Sequence, residues 1–98
     1  MPYISYTPSA LRDFQRLREF LKLKNLAAAK KMGEKIKKNL KILTAQPHIG
    51  RPILNMKENY REWLIDFGDS GYVVRYYYDE EADIVNILAI WHQKESGI

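Results

Sequence analysis

The chain has 98 residues, 46% of them apolar and 29% charged, and no cysteine. That length suits one two-layer core, and the missing cysteines exclude disulfide staples, thiolate zinc sites and cysteine nucleophiles together. The net charge of +4 is unevenly spread, with eleven Lys and Arg against three acids in residues 1–41 and five against nine in residues 42–98, so the first half offers a basic surface to polyanions or to an acidic protein.

No apolar run approaches the roughly 20 residues that cross a bilayer, which excludes a membrane partner reached by a spanning helix. The start Met1-Pro2-Tyr3-Ile4-Ser5-Tyr6 lacks the basic-then-apolar layout of a signal peptide, which predicts a cytoplasmic protein. Tyr3 to Tyr6 reads as a short strand ended by Thr7-Pro8. Thr7 suits a helix cap and Pro8 the first helical position, so a helix begins there, with Leu11, Phe14, Leu17 and Leu21 as its buried stripe. Lys24-Asn25 interrupts it. Asn25 caps a second helix whose apolar face is Ala29, Met32 or Gly33, Ile36, Leu40 and Leu43, up to Gln46-Pro47. So short a connection makes the helices antiparallel neighbours. Gly33 costs about 1 kcal/mol relative to Ala in a helix interior, which predicts another backbone close by.

Pro47-His48-Ile49-Gly50-Arg51-Pro52 stops the helix, and the stretch to Tyr60 is expected to be loop or very short structure. Three strands follow, Tyr60 to Phe67, Tyr72 to Tyr78 and Asp83 to Trp91, reversed by Gly68-Asp69-Ser70-Gly71 and Asp79-Glu80-Glu81-Ala82. Trp63, Ile65 and Phe67 share one face of the first; Val74 and Tyr76, then Ile84, Leu88 and Ile90, are the stripe candidates on the next two. The expected architecture is a single α+β domain over residues 1–98, ordered β-α-α-β-β-β, with an antiparallel four-stranded sheet covered on one face by the helical hairpin. The first strand can join at an edge or beside the central strand.

His48 and His92 are the only histidines, and without cysteine or a histidine pair at helical spacing no transition-metal site is expected. No phosphate loop is present and no cofactor is implied. Asp79-Glu80-Glu81 with Asp83 is expected to be a solvated hairpin tip. In Tyr76-Tyr77-Tyr78 alternation turns at least one ring into the core, while an outward ring could stack on nucleic-acid bases.

The leading strand, the helical hairpin with Leu26-Ala27-Ala28-Ala29, the loop Gln46 to Pro52, Tyr60-Arg61-Glu62-Trp63-Leu64-Ile65, Gly71-Tyr72-Val73-Val74-Arg75-Tyr76 and Ile90-Trp91-His92-Gln93-Lys94-Glu95 follow one another in an order that resembles the RelE/ParE superfamily of toxins from type II toxin–antitoxin modules, over nearly the full length. The resemblance implies a cognate antitoxin partner whose extended segment wraps the toxin in a hetero-oligomer. It leaves two targets: RelE-like members cut messenger RNA in the ribosome, whereas ParE-like members poison DNA gyrase. Cutting RNA needs groups that activate the ribose 2′-hydroxyl, hold the phosphate and protonate the leaving oxygen. His92 could shuttle the proton, and Arg61 and Arg75 could hold phosphate. Each also has a plain structural role open to it, as a packing histidine, a salt bridge beside Glu62 and a polar sheet residue. Nuclease-type members tend to carry an arginine where this chain has Val73, and Arg75 stands two residues on. Together with Phe67 to Val73 and His92-Gln93-Lys94-Glu95, this departure favours the ParE side: a gyrase inhibitor without catalytic chemistry, with a ribosome-dependent endoribonuclease as the alternative.

Overall fold

A computed structural model describes residues 2–95. Strand β1 is Tyr3–Tyr6, helix α1 Pro8–Lys24, helix α2 Leu26–Ala45, and strands β2 to β5 are Arg51–Pro52, Tyr60–Phe67, Ser70–Asp79 and Ile84–His92. The Thr7 hydroxyl accepts from Ala10 N at 3.1 Å and starts α1. Asn25 serves both helices. Its N–H closes α1 on Leu21 O at 2.8 Å, and its side-chain oxygen opens α2 by accepting from Ala28 N at 3.0 Å. One residue with two capping bonds therefore fixes the hairpin.

The sheet has five strands in the order β1-β5-β4-β3-β2. Two features of the expected four-stranded antiparallel sheet need correction. First, β1 pairs with β5 in parallel, Tyr3 opposite Ile84 and Tyr6 opposite Ile87. The β3-β4-β5 meander occupies one side of β5, so β1 takes its free edge, where Thr7 N donates to Ile87 O at 3.0 Å and the Thr7 hydroxyl to Leu88 O at 3.2 Å. Second, there is a fifth strand: Arg51 and Pro52, at the end of the stretch that stops α2, form β2 and pair antiparallel with Glu62 and Arg61. Pro52 suits this outermost strand because an edge position needs no N–H on its free side. The β3–β4 turn is also tighter than expected, a two-residue loop of Gly68-Asp69 with Gly68 at φ +64°, where glycine carries no steric penalty.

The core lies between the helices and one sheet face. Leu17, Met32, Ile36 and Leu43 meet Ile65, Val74, Tyr76, Val85, Ile87 and Ile90, with Trp63 and Phe67 packed against them. Trp63 Nε1 donates to Asn39 Oδ1 at 3.0 Å and ties β3 to α2. Three details of the expected core differ. Ala10 is fully buried whereas Leu11 is 55% exposed, because the small side chain lets α1 approach the sheet closely. Of the two alternatives on α2 it is Met32 that is buried, but the close backbone expected at Gly33 is not found, since a Cβ there would meet nothing within 4 Å. On β5 the buried stripe is Val85, Ile87 and Ile90. The pairing jumps from Tyr76 opposite Ile87 to Arg75 opposite Ala89, and the extra residue, Leu88, shifts the alternation by one.

Candidate functional site

The face of the sheet opposite the helices is open. Glu62 on β3 lies across from Arg75 on β4, and its carboxylate receives Arg75 Nη2 at 2.7 Å and Nε at 3.1 Å, with Arg51 Nη2 at 3.5 Å from the other oxygen. The Arg75 guanidinium also lies 5.3 Å from the Trp91 ring centre, and the Tyr60 and Tyr77 rings meet tilted by 40° with centres 4.7 Å apart. Val73 is buried between its cross-strand neighbours Leu64 and Trp91, of which Leu64 is 43% exposed. Where a nuclease-type arginine would stand, the strand packs an apolar side chain.

Arg61 is on the helix-facing side, at the β2 end of the sheet. Its Nη1 donates to Gly50 O at 2.8 Å, while its Nε is buried without a partner among the described residues. Next to it the Tyr76 hydroxyl donates to Pro47 O at 2.9 Å and accepts from Gly50 N at 2.9 Å, which pins the 47–50 loop to the sheet. Burial raises the Tyr76 pKa, partly offset by the Gly50 N–H bond and by the field of Arg61.

His92 is on the same side as Arg61 but toward the opposite end of β4. Its ring edge meets Tyr72 at 5.1 Å between centres, its Nδ1 accepts from Lys94 N at 3.1 Å, and its Nε2 is 2.9 Å from the Ser70 hydroxyl. A neutral ring that accepts at Nδ1 carries its proton on Nε2 and donates it to Ser70, so both nitrogens are engaged. Arg61 is opposite Tyr76 and His92 opposite Tyr72, four residues apart on β4 or about 13 Å, and Arg75 is on the other face. The three residues suggested by the sequence are thus not brought together.

Beyond β5 the chain turns back on α1. Arg16 forms an ion pair with Glu95, whose Oε2 also accepts from His92 N at 3.3 Å, and Asp13 accepts from Ile90 N at 3.1 Å. Glu95 raises the Arg16 pKa chiefly by its hydrogen bond; burial raises that of Tyr72, to which Glu95 adds. Between α1 and this turn lies a hollow of about 610 Å³. It leaves no local trace in the sequence, because it forms between α1 and residues of β4 and the C-terminal turn that lie far along the chain.

A second groove runs along the outer side of the hairpin. Phe14, Leu26 and Gly33 line its floor, and Arg18, Lys22, Lys30 and Lys37 its sides. Of the α2 lysines none is ion-paired among the described residues, and Lys31, Lys35 and Lys38 recur at helical spacing on its exposed surface. Among the described residues, no helix is long and apolar enough to cross a membrane.

A family model described as the ParE toxin of the type II toxin–antitoxin system parDE matches residues 4–97. Toxin RelE1 of Caulobacter vibrioides is 36% identical over 86 residues, covering 88% of this chain and 87% of that protein. The chromosomal ParDE system of P. aeruginosa superposes with a TM-score of 0.71 at 18% identity, covering 94% of this chain and 96% of that one. The isolated E. coli RelE toxin superposes with a TM-score of 0.68 at 18% identity, covering 99% and 89%. At that identity the two structural likenesses speak for the fold.

Proposed function

The chain belongs to the ParE toxin family of type II toxin–antitoxin systems, within the RelE/ParE superfamily, and we propose that it arrests growth by binding and inhibiting DNA gyrase, without catalysis of its own, until a cognate antitoxin covers it. Residues 1–98 act as one domain in the cytoplasm in this proposal, with no cofactor. The observation that carries it is the dispersal of Arg61, Arg75 and His92. Phosphodiester cleavage by side chains needs an activating group, a phosphate holder and a proton donor converging on one phosphate. Here Arg75 is held by Glu62 on one face while Arg61 and His92 are bonded to Gly50 and Ser70 near opposite ends of the other. The burial of Val73 points the same way. A partner of the antitoxin kind is supported by the likeness to a ParDE system.

A ribosome-dependent endoribonuclease is the second reading, favoured by the open sheet face, where Arg75 lies over Trp91 beside the Tyr60–Tyr77 ring pair and could meet RNA bases. Inducing the protein without its antitoxin, while following DNA supercoiling and transcript integrity, separates the two. Gyrase-dependent DNA breaks with intact messages are expected. Rapid cutting of messages within codons would replace the gyrase reading with the nuclease one.

A further inference from the structure

The hollow beneath the C-terminal turn has an apolar floor and a charged mouth. Leu17, Phe20, Leu21 and Tyr72 form the floor, and Phe20 remains 58% exposed although Lys24 lies 4.7 Å from its ring centre. Among the described residues the mouth carries the cations Arg16, Lys24 and Lys94 against Glu95, which already pairs with Arg16, and Asp13, whose carboxylate is 3.9 Å from Arg16. An apolar floor that the described residues leave uncovered, ringed by more positive than negative charge, fits a bulky apolar side chain flanked by carboxylates.

We propose that this hollow receives an acidic, aromatic or aliphatic segment of the antitoxin, and that Glu95 stands in for the incoming carboxylate on Arg16 until the partner arrives. The inference rests on the toxin–antitoxin reading and adds the place and chemistry of one contact. Arg16 and Glu95 are 50% and 25% exposed, and an ion pair so close to solvent contributes little and exchanges partners cheaply. Docking then transfers Arg16 from Glu95 to the partner, and the turn from His92 to Glu95 loses its tie to α1. Its remaining bonds, Lys94 N to His92 Nδ1, Glu95 N to His92 O, Gln93 N to Gly71 O and the Ser70–His92 bond, do not involve α1.

The test measures affinity between the full-length protein and the antitoxin encoded in the neighbouring reading frame. Arg16→Gln and Phe20→Ala are each expected to weaken binding about tenfold or more. Glu95→Gln is expected to tighten it about threefold to tenfold, because it removes the internal competitor and leaves the mouth more positive. Opposite signs for Arg16→Gln and Glu95→Gln are what a merely structural ion pair does not give. Weaker binding or no change with Glu95→Gln overturns the exchange. A complex that binds wild type tightly but ignores Arg16→Gln and Phe20→Ala overturns the site while sparing the toxin–antitoxin reading, and no binding to wild type at all overturns that reading. As a second readout, 4-phenylbutyrate, an apolar body with one carboxylate, is expected to shift the Phe20, Tyr72 and His92 ring resonances of the isolated toxin. Unmoved resonances, or saturation of the hollow by self-association of the protein in light scattering, count against the proposal.

Discussion

Glu62 and Arg75 face each other across β3 and β4, and two guanidinium nitrogens of Arg75 end on a single carboxylate oxygen, at 2.7 and 3.1 Å. The pair is asymmetric: the Glu62 side chain is 13% exposed and that of Arg75 37%. Removing the arginine leaves a mostly buried carboxylate with only the longer contact to Arg51, whereas neutralising the glutamate leaves arginines that water can solvate. Arg75→Ala is therefore expected to lower unfolding stability by about 1–3 kcal/mol and Glu62→Gln by about 1 kcal/mol or less. Urea unfolding decides, and the reverse order would show that the carboxylate is better solvated than its exposure implies.

Gly33 has open space where a Cβ would be, so a methyl group costs no contact. Gly33→Ala is expected to stabilise the toxin alone by about 0.5–1 kcal/mol, from the lower entropy of the unfolded chain. A lower Tm for this variant would mean that the helices pack more closely at Gly33 than described.

Gly50 is the opposite case. A Cβ there would meet the Tyr76 hydroxyl at 2.5 Å, Tyr76 Cε1 at 2.8 Å and Glu62 O at 2.9 Å. Gly50→Ala is expected to be severely destabilising, and adding Tyr76→Phe is not expected to rescue it, because the ring and the Glu62 backbone remain in the way. Tyr76→Phe alone leaves Pro47 O and Gly50 N without that partner and is expected to cost about 1–3 kcal/mol. Recovery of the double variant to the Tyr76→Phe level would place the clash on the hydroxyl alone.

Burial raises the pKa of Tyr72 and Tyr76 above the ordinary 10.0, and the Tyr78 hydroxyl is raised chiefly by its bond to Asp83. Above pH 10 the unfolded chain loses these protons before the folded one does, so stability is complete below about pH 10 and falls as pH climbs toward the folded values. Urea midpoints measured from pH 8 to pH 11 are expected to hold and then decline, with a shallower decline in Tyr72→Phe. A flat profile to pH 11 would show that the folded phenols titrate as the unfolded ones do.

The helix limits and the three-strand meander were legible in the sequence because they are short-range. Thr7 and Asn25 satisfy free amides within three residues, and Gly68 bends the chain within two. The order of these elements also carried the family. What only the tertiary structure decided depends on partners far apart in the chain: the parallel seat of β1 beside β5, the edge pairing of β2, and the bulge at Leu88 that buries Ile87 in place of Leu88. It also divided Arg61, Arg75 and His92 between two faces and two ends of the sheet. Which face a side chain meets is set by cross-strand register, and a one-residue shift in a distant strand reverses it without any local trace in the sequence.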